Sequence, residues 1–145
     1  MIKSLVSVIL ICTSTLAFCQ SAEQITYPTK ILRATDGDTV VIEASYLPKP
    51  LKPQLSVRIN GIDTPEKGST AKCEQEKQKG KEASAYVQSL IKNSSKHEVA
   101  FYKWDKYGGR VIGDIILDGN SLRQTLIASG LAREYYGGRK HSWCN

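Results

Sequence analysis

Apolar and polar positions alternate with a period of two in the first part of the chain, a pattern that predicts β-strands. Residues 25–35 are rich in β-branched and aromatic types, residues 39–43 contain an apolar run, and residues 55–60 alternate strictly. The Asp-Gly pair at 36–37 is a typical hairpin turn, and the proline-rich segment 46–53 is a loop. These patterns predict a meander of three strands.

A period close to 3.6 residues begins near Glu74 and predicts an amphipathic helix. Five apolar residues share one face of that helix: Ala83, Tyr86, Val87, Leu90 and Ile91. The opposite face is charged and includes Glu76, and Gly80 is expected to weaken the first half of the helix. The helix should end at residues 93–95, where Asn and Ser residues follow one another.

Strand patterns return in the last third of the chain. Residues 98–104 and 110–117 are predicted strands joined by a Gly-Gly turn, and a short helix should run from Ser121 to a C-terminal glycine at Gly130. Residues 134–145 show no clear period. The predicted fold class is therefore α+β, mainly β: a five-stranded OB-fold barrel with a helix between strands 3 and 4 and a short helix after strand 5.

The N-terminal segment has the composition of an export signal. A lysine is followed by the apolar run 5–16 and by small residues, which predicts a secretory signal peptide over residues 1–20 with cleavage between 19 and 22. Acylation of Cys19, as in a lipoprotein, is an alternative that the bulky preceding residue disfavours. The apolar run is too short to span a bilayer comfortably, so no stable membrane insertion is expected. We expect a secreted or periplasmic protein with one domain over 21–145.

Charge and cysteine content narrow the class of protein further. The chain of 145 residues carries a formal net charge of +6, which favours a polyanionic partner such as nucleic acid. Removal of the signal peptide would leave Cys73 and Cys144, and two cysteines in an exported domain are expected to form a disulfide. Two free thiols or a metal-binding pair are the alternatives.

Two acidic motifs at predicted strand ends carry the first candidate chemistry. They are Asp-Gly-Asp-Thr at 36–39 and Asp-Thr-Pro-Glu at 63–66, and Arg58 precedes the second. Each motif alone is compatible with ordinary turn chemistry. Together their carboxylates suit a hard cation, and the planar guanidinium of Arg58 suits a phosphate, which suggests phosphodiester hydrolysis. Arg58 and Asp63 can meet only if the strand bends or ends near Gly61, because residues five apart on a strand face opposite sides.

A third motif, Asp-Lys-Tyr-Gly-Gly-Arg at 105–110, supplies a second arginine and an aromatic residue from another turn. It could equally be a solvated hairpin whose arginine pairs with a surface carboxylate. The tyrosines at 107 and 136 could stack on nucleic-acid bases, although tyrosines near the rim of a barrel often only pack against the protein.

These three motifs, in this order and spacing, resemble the staphylococcal nuclease (thermonuclease) family over about residues 31–132. The resemblance implies calcium-dependent, largely sequence- and sugar-non-specific hydrolysis of DNA and RNA to 3′-phosphorylated products. It implies calcium ligands at Asp38, Asp63 and, through the backbone carbonyl, Thr64. It implies catalytic roles for Arg58, Glu66 and Arg110. It implies nucleotide contacts at Lys106, Tyr107 and Tyr136.

Several alternatives stay open from the sequence. An extra glycine between Tyr107 and Arg110 departs from the family pattern and leaves the register of Arg110 uncertain. Magnesium or manganese could replace calcium, because oxygen donors alone do not define the cation. We expect a monomer without an obligate protein partner. The rival functions are a non-catalytic nucleic-acid-binding OB-fold module and an exported structural or inhibitor-type protein whose basic face binds an acidic partner.

Overall fold

The computed structural model describes residues 24–144, so the predicted signal peptide and its cleavage region lie outside the described residues. In this part of the chain, strands and helices follow one another in this order: β1 (Tyr27–Pro28), β2 (Ile31–Ala34), β3 (Thr39–Glu43), β4 (Gln54–Ile59), β5 (Ile62–Asp63), α1 (Glu74–Asn93), β6 (His97–Trp104), β7 (Arg110–Leu117), β8 (Asn120–Ser121), α2 (Leu122–Ala128) and β9 (Arg133–Glu134). The fold is mainly β with two helices over these residues.

One sheet has the strand order β1-β6-β7-β4-β3-β2, with β8 paired to β7, and a second small sheet joins β5 to β9. The pair β4–β7 is parallel, whereas the other pairs are antiparallel. Four strand regions predicted from the sequence are confirmed as β3, β4, β6 and β7, and the predicted first strand is reproduced only in part, by β1 and β2. The short strands β5, β8 and β9 carry no periodic signal because each has only two residues.

The prediction of one continuous first strand closing a five-stranded barrel is wrong. The predicted strand is divided into β1, which pairs with β6, and β2, which pairs with β3. Pro28 has no N–H to continue a ladder of hydrogen bonds. The next two residues each make one hydrogen bond to a different neighbouring strand. The Thr29 N–H donates to the His97 carbonyl at 3.0 Å, and the Lys30 carbonyl accepts from the Glu43 N–H at 2.9 Å. No pairing joins the two ends of the strand order, β1 and β2, so the sheet is not closed into a barrel, although these two edge strands are consecutive in the chain.

The core lies between the sheet and the two helices. Alternation along β4 buries Val57 and Ile59, as predicted, and the apolar face of α1 buries Ala83 and Val87. Helix α2 begins at a Ser121 cap and is followed by Gly130 with a φ of 73°, as the short-helix prediction expected. Among the described residues, no helix combines the length and apolar character needed to cross a bilayer.

Gly61 produces the predicted bend that ends β4. Its φ of 70° is in the left-handed region, where glycine is favoured, and β5 begins at the next residue. Because of this bend, Arg58 and Asp63 do not lie on opposite faces of one strand: Arg58 belongs to β4, and Asp63 belongs to β5, which pairs with β9.

Candidate active site

Asp38 and Arg58 form an ion pair where β3 begins beside β4. Thr39 pairs with Arg58 across the two strands, so the preceding Asp38 lies next to the arginine. Arg58 Nη2 is 2.9 Å from Asp38 Oδ2, and the Thr39 hydroxyl donates to Asp38 Oδ1 at 2.9 Å. Burial raises the pKa of Asp38 and outweighs the nearby guanidinium, which lowers it. The first acidic motif thus supplies a buried carboxylate.

Asp63 and Thr64 are brought towards that carboxylate by close packing at Gly37. A Cβ added to Gly37 would lie 3.0 Å from the Cβ of Ala83 and 3.1 Å from the Cβ of Thr64. A glycine therefore lets the turn before Asp38 lie directly against the segment that follows Asp63. Asp63 and Thr64 are buried, with 4% and 5% of their surface exposed.

Glu66 is held over the start of α1 by contacts that the sequence pattern did not reveal. Its backbone lies against Gly80, where an added Cβ would come within 2.5 Å of the Glu66 carbonyl group. Buried Glu76 accepts hydrogen bonds from the backbone N–H groups of Lys72 at 2.7 Å and Glu66 at 3.5 Å. The prediction that Glu76 lies on a solvated face is wrong, because the loop before the helix folds over it and its N–H groups need an acceptor. The Glu66 side chain itself stays 45% exposed.

The ammonium group of Lys140 lies beside the two carboxylates of the second acidic motif. Lys140 Nζ is 2.6 Å from Asp63 Oδ1 and 3.9 Å from Glu66 Oε1. Its charge also opposes the rise in the pKa of Asp38. Burial lowers the pKa of Lys140, but the Asp63 and Glu66 carboxylates together outweigh it, and the pKa lies above its ordinary value. One protein cation thus acts on three carboxylates.

Trp143 engages the second oxygen of Asp63. Its indole N–H donates to Asp63 Oδ2 at 3.1 Å, and the Arg133 guanidinium stacks 3.8 Å from the ring centre. The structure joins Cys144 to Cys73 at the N-terminus of α1, with their Cα atoms 6.1 Å apart. The C-terminal end of the described chain is therefore part of the acidic site.

Arg110 lies on the same face of the sheet as Arg58. The parallel register pairs Arg58 with Ile112, and residues two apart on a strand share a face. Both arginines line a cavity of about 710 Å³, called here the arginine cavity. The extra glycine is accommodated in the turn, where Gly108 and Gly109 have φ values of 72° and 71°, so that Arg110 is the first residue of β7.

The Arg110 guanidinium is paired with Asp105 rather than free. Arg110 Nε donates to Asp105 Oδ2, and this hydrogen bond lowers the pKa of Asp105. The backbone N–H of Tyr107 also donates to Asp105, at 3.3 Å. A phosphate bound at Arg110 would have to compete with Asp105 for the guanidinium.

The three predicted nucleotide contacts all line the arginine cavity: Lys106, Tyr107 and Tyr136. Lys106 Nζ lies 4.9 Å from the centre of the Tyr107 ring, which is 77% exposed. Tyr136 packs over Gly61, where an added Cβ would approach its ring to 2.8 Å. Arg123, which the sequence pattern did not single out, donates to the Tyr136 hydroxyl and so orients the ring.

A smaller cavity of about 120 Å³ adjoins the first and contains the second acidic motif; we call it the acid cavity. Asp63, Thr64 and Glu66 line it together with Trp143. Lys140 lines both cavities and so connects them. Lys140 therefore has the two arginines in the cavity on one side and the second acidic motif in the cavity on the other, and Asp38 is joined to this site through its ion pair with Arg58.

The donor chemistry of the acid cavity fits a hard divalent cation. Asp63 Oδ1 is buried and accepts no well-directed hydrogen bond, although the Lys140 ammonium is close to it. Carboxylates and a backbone carbonyl are the ligands that calcium and magnesium prefer. Within residues 24–144, no three acidic, histidine or cysteine side chains converge into a preassembled metal cluster. A cation at Asp63 would have to compete with the Lys140 ammonium, which lies 2.6 Å from Asp63 Oδ1.

Sequence reasoning missed the residues that surround the motifs, above all Glu76, Lys140 and Trp143. No local period marks them, because each acts through a contact between distant segments. One signal was available: a Cys73–Cys144 pairing would place the residues just before Cys144 near the loop that follows Glu66.

Comparisons with known proteins identify the family of this chain. A family model described as staphylococcal nuclease homologue matches residues 56–142, more than half of the chain. Endonuclease YncB of Bacillus subtilis (strain 168) is 38% identical over 107 residues, which are 72% of this chain and 46% of YncB. The SPbeta prophage-derived endonuclease YokF of the same strain is 36% identical over 107 residues, 72% of this chain and 33% of YokF. The chain thus spans less than half the length of either relative, and it belongs to the staphylococcal nuclease family.

Proposed function

We propose that this protein is a divalent-cation-dependent endonuclease that hydrolyses phosphodiester bonds in DNA and RNA. The observation that carries the proposal is the position of Lys140 between the two cavities. Its ammonium charge acts on three carboxylates, and the arginine cavity next to it contains two arginines. Hydrolysis of a phosphodiester needs positive charge at the phosphate and a base near the attacking water, and these groups adjoin here. The printed names of the two relatives, both endonucleases, support the same activity.

In the proposed mechanism, Arg58 and Arg110 bind the non-bridging oxygens of the scissile phosphate. Their fixed guanidinium forks can each donate two hydrogen bonds, and they offset the charge that builds up on these oxygens in the transition state. Arg110 exchanges Asp105 for the phosphate, and Arg58 keeps its orientation through Asp38.

Glu66 is proposed to accept a proton from the attacking water. Its side chain is 45% exposed, whereas those of Asp38 and Asp63 are 10% and 6% exposed, so water reaches Glu66 most readily. The buried neighbours Glu76 and Gly80 fix the backbone that carries it. A positioned base typically contributes about 10²–10⁴-fold to the rate.

Asp38, Asp63 and the backbone carbonyl of Thr64 would hold the divalent cation in place of the Lys140 ammonium. When bound, such a cation supplies positive charge that polarises the phosphate. We propose calcium, following the family resemblance, with magnesium and manganese as the alternatives to test.

Substrate contacts are proposed at Lys106, Tyr107 and Tyr136 in the arginine cavity. Contacts to phosphate, sugar and the faces of bases do not read sequence, which would make cleavage largely sequence- and sugar-non-specific. The family resemblance further implies 3′-phosphorylated products. The net charge of +6 should make binding weaken as salt is added.

The remaining features belong to the proposal for the whole protein. We propose a signal peptide over residues 1–20, a secreted or periplasmic domain over 21–145 with an OB-type fold, and a Cys73–Cys144 disulfide formed after export. The domain is proposed to act as a monomer that is not inserted in a membrane.

The second candidate is a non-catalytic nucleic-acid-binding module on the same fold. It draws support from the pairing of charged groups within the site, because Lys140 neutralises the carboxylates and Asp105 engages Arg110. The retention of all three carboxylates and both arginines favours the enzyme.

Hydrolysis assays of single- and double-stranded DNA and of RNA distinguish the two candidates. The enzyme should cleave in calcium, stop when the cation is chelated and resume when calcium is restored. Binding of the same substrates without cleavage under every divalent cation would support the binding module and contradict the proposed activity.

A further inference from the structure

The side chain of Trp143 is fixed beside Asp63 by contacts from the small second sheet. Strands β5 and β9 pair Asp63 with Arg133, so these two side chains lie on the same face of that sheet. The Trp143 ring is only 5% exposed, and the Arg133 guanidinium stacks 3.8 Å from its centre. Arg133 Nη1 also donates to the Ser142 carbonyl at 2.9 Å. One arginine therefore holds both the ring and the backbone next to it.

The two oxygens of Asp63 have partners of different kinds. Oδ2 accepts from the Trp143 indole N–H at 3.1 Å, and this donor belongs to a rigid, buried ring. Oδ1 lies 2.6 Å from the Lys140 ammonium, which ends a flexible side chain that is 39% exposed. Oδ1 is buried and accepts no well-directed hydrogen bond. One oxygen of the carboxylate is thus held by a fixed donor, and the other contacts a cation that can move away.

The hydrogen bond from Trp143 does more than satisfy a buried donor. A buried indole N–H needs an acceptor, but a backbone carbonyl would serve without bringing a charge into the interior. The acceptor here is a carboxylate of the second acidic motif, and Trp143 lines the acid cavity together with Asp63, Thr64 and Glu66. Carboxylates that bind metals are commonly oriented by a hydrogen bond from a neighbouring residue. Trp143 stands in that relation to Asp63.

We propose that Trp143 is a positioning residue for the divalent cation: its indole N–H holds Asp63 through Oδ2 and so presents Oδ1 to the cation. This inference rests on the proposed function, which places a cation at Asp63, and it gives Trp143 a role that the proposed mechanism does not contain. Without the N–H, the carboxylate would have to be ordered at the moment the cation binds, and that cost lowers affinity. The loss should therefore fall on cation binding.

The test is calorimetric titration of calcium in the absence of nucleic acid. Trp143→Phe keeps an aromatic ring but has no N–H donor, and its affinity for calcium should fall about 10- to 100-fold, the range typical for loss of a residue that orients a metal ligand. Ile115→Val is the control, because Ile115 is fully buried but lines neither the arginine cavity nor the acid cavity. That variant should lose stability and keep its calcium affinity. Circular dichroism at the titration temperature establishes that both variants are folded.

Tryptophan emission gives a second readout, which does not need the Trp143→Phe variant. The chain has two tryptophans, so Trp104→Phe leaves Trp143 as the single emitter. Calcium should change this emission with the same midpoint as the calorimetric titration, because the cation would replace the ammonium beside the carboxylate that the indole contacts. Unchanged emission while calcium binds would overturn the positioning role, as would equal calcium affinities of Trp143→Phe and wild type.

Hydrolysis assays separate this inference from the proposed function. Trp143→Phe should need about 10- to 100-fold more calcium for half-maximal cleavage and should approach the wild-type rate when calcium is saturating. A loss of rate that excess calcium does not restore would indicate a merely structural role and overturn the inference, as would a wild type that binds neither calcium, magnesium nor manganese. A wild type that binds calcium but cleaves no nucleic acid would refute the proposed nuclease, and the calcium affinities would still decide the role of Trp143.

Discussion

At the scale of single residues, the carboxylates of the site are balanced by a cation of the protein itself, the ammonium group of Lys140. Lys140 Nζ lies 2.6 Å from Asp63 and 3.9 Å from Glu66, and the Lys140 charge reaches Asp38. Asp38 and Asp63 are buried, and a buried carboxylate without a counter-charge is costly because it has lost its hydration. Binding of a divalent cation is therefore expected to be an exchange, in which the ammonium group leaves the carboxylates.

Replacement of Lys140 by Gln should accordingly tighten calcium binding in the absence of nucleic acid. The ion pair between Lys140 and Asp63 is partly exposed and competes with calcium. If that pair is worth about 1 kcal/mol, its loss should raise the affinity for calcium about fivefold. Calorimetric titration of calcium measures this without any contribution from turnover. Lys79→Gln is the control, because Lys79 contacts the Trp143 ring at 5.9 Å and forms no ion pair with the site carboxylates. Unchanged or weaker affinity in Lys140→Gln would refute the exchange.

At the scale of secondary-structure elements, helix α1 supports the second acidic motif through a glycine and a buried carboxylate. The sequence pattern predicted the helix and its apolar face from Ala83 to Ile91, because local periodicity determines both. It treated Gly80 only as a weak helix former and Glu76 only as a surface charge. Their contacts with the loop at Glu66 are tertiary, so no local period could reveal them.

Gly80→Ala tests this support. Alanine normally stabilises a helix by about 1 kcal/mol relative to glycine, but here the added Cβ would lie 2.5 Å from the Glu66 carbonyl group. We expect the free energy of unfolding to fall by about 1–3 kcal/mol and hydrolysis to decrease, because the Glu66 backbone must move. Urea denaturation and an activity assay measure the two effects. Gln78→Ala on the exposed side of α1 is the control, and a gain of stability in Gly80→Ala would exclude the close contact.

At the scale of the whole molecule, the order of the strands and helices was more predictable than whether the sheet closes into a barrel. The Asp-Gly turn and the strict alternation at 55–60 correctly indicated β3 and β4, and the bend at Gly61 followed from the need to bring Arg58 and Asp63 together. The division of the first strand at Thr29 and Lys30 depends on pairing with two distant strands. It could not be predicted from its own residues.

We expect the C-terminal segment that carries Lys140 and Trp143 to be stabilised by the proposed link of Cys144 to Cys73. Replacing both cysteines by Ser should lower the free energy of unfolding by about 4 kcal/mol, because a loop with a sequence separation of 71 residues is no longer closed in the unfolded chain. Ser at position 73 can still cap α1, where the Cys73 sulfur accepts the Glu76 N–H at 3.4 Å. Thermal unfolding with and without reductant measures the effect. Equal stability of reduced and oxidised protein would mean that the link contributes nothing.

The central claim is that the acidic motifs and the two arginines form one hydrolytic site, and Glu66→Gln tests it most directly. The measurement is the single-turnover rate of DNA cleavage in calcium, with substrate affinity determined in parallel and Glu82→Gln on the exposed face of α1 as the control. The account predicts a rate reduced by about 10²–10⁴-fold with folding and affinity retained, while Glu82→Gln cleaves like the wild type. Near-normal cleavage by Glu66→Gln would contradict the account.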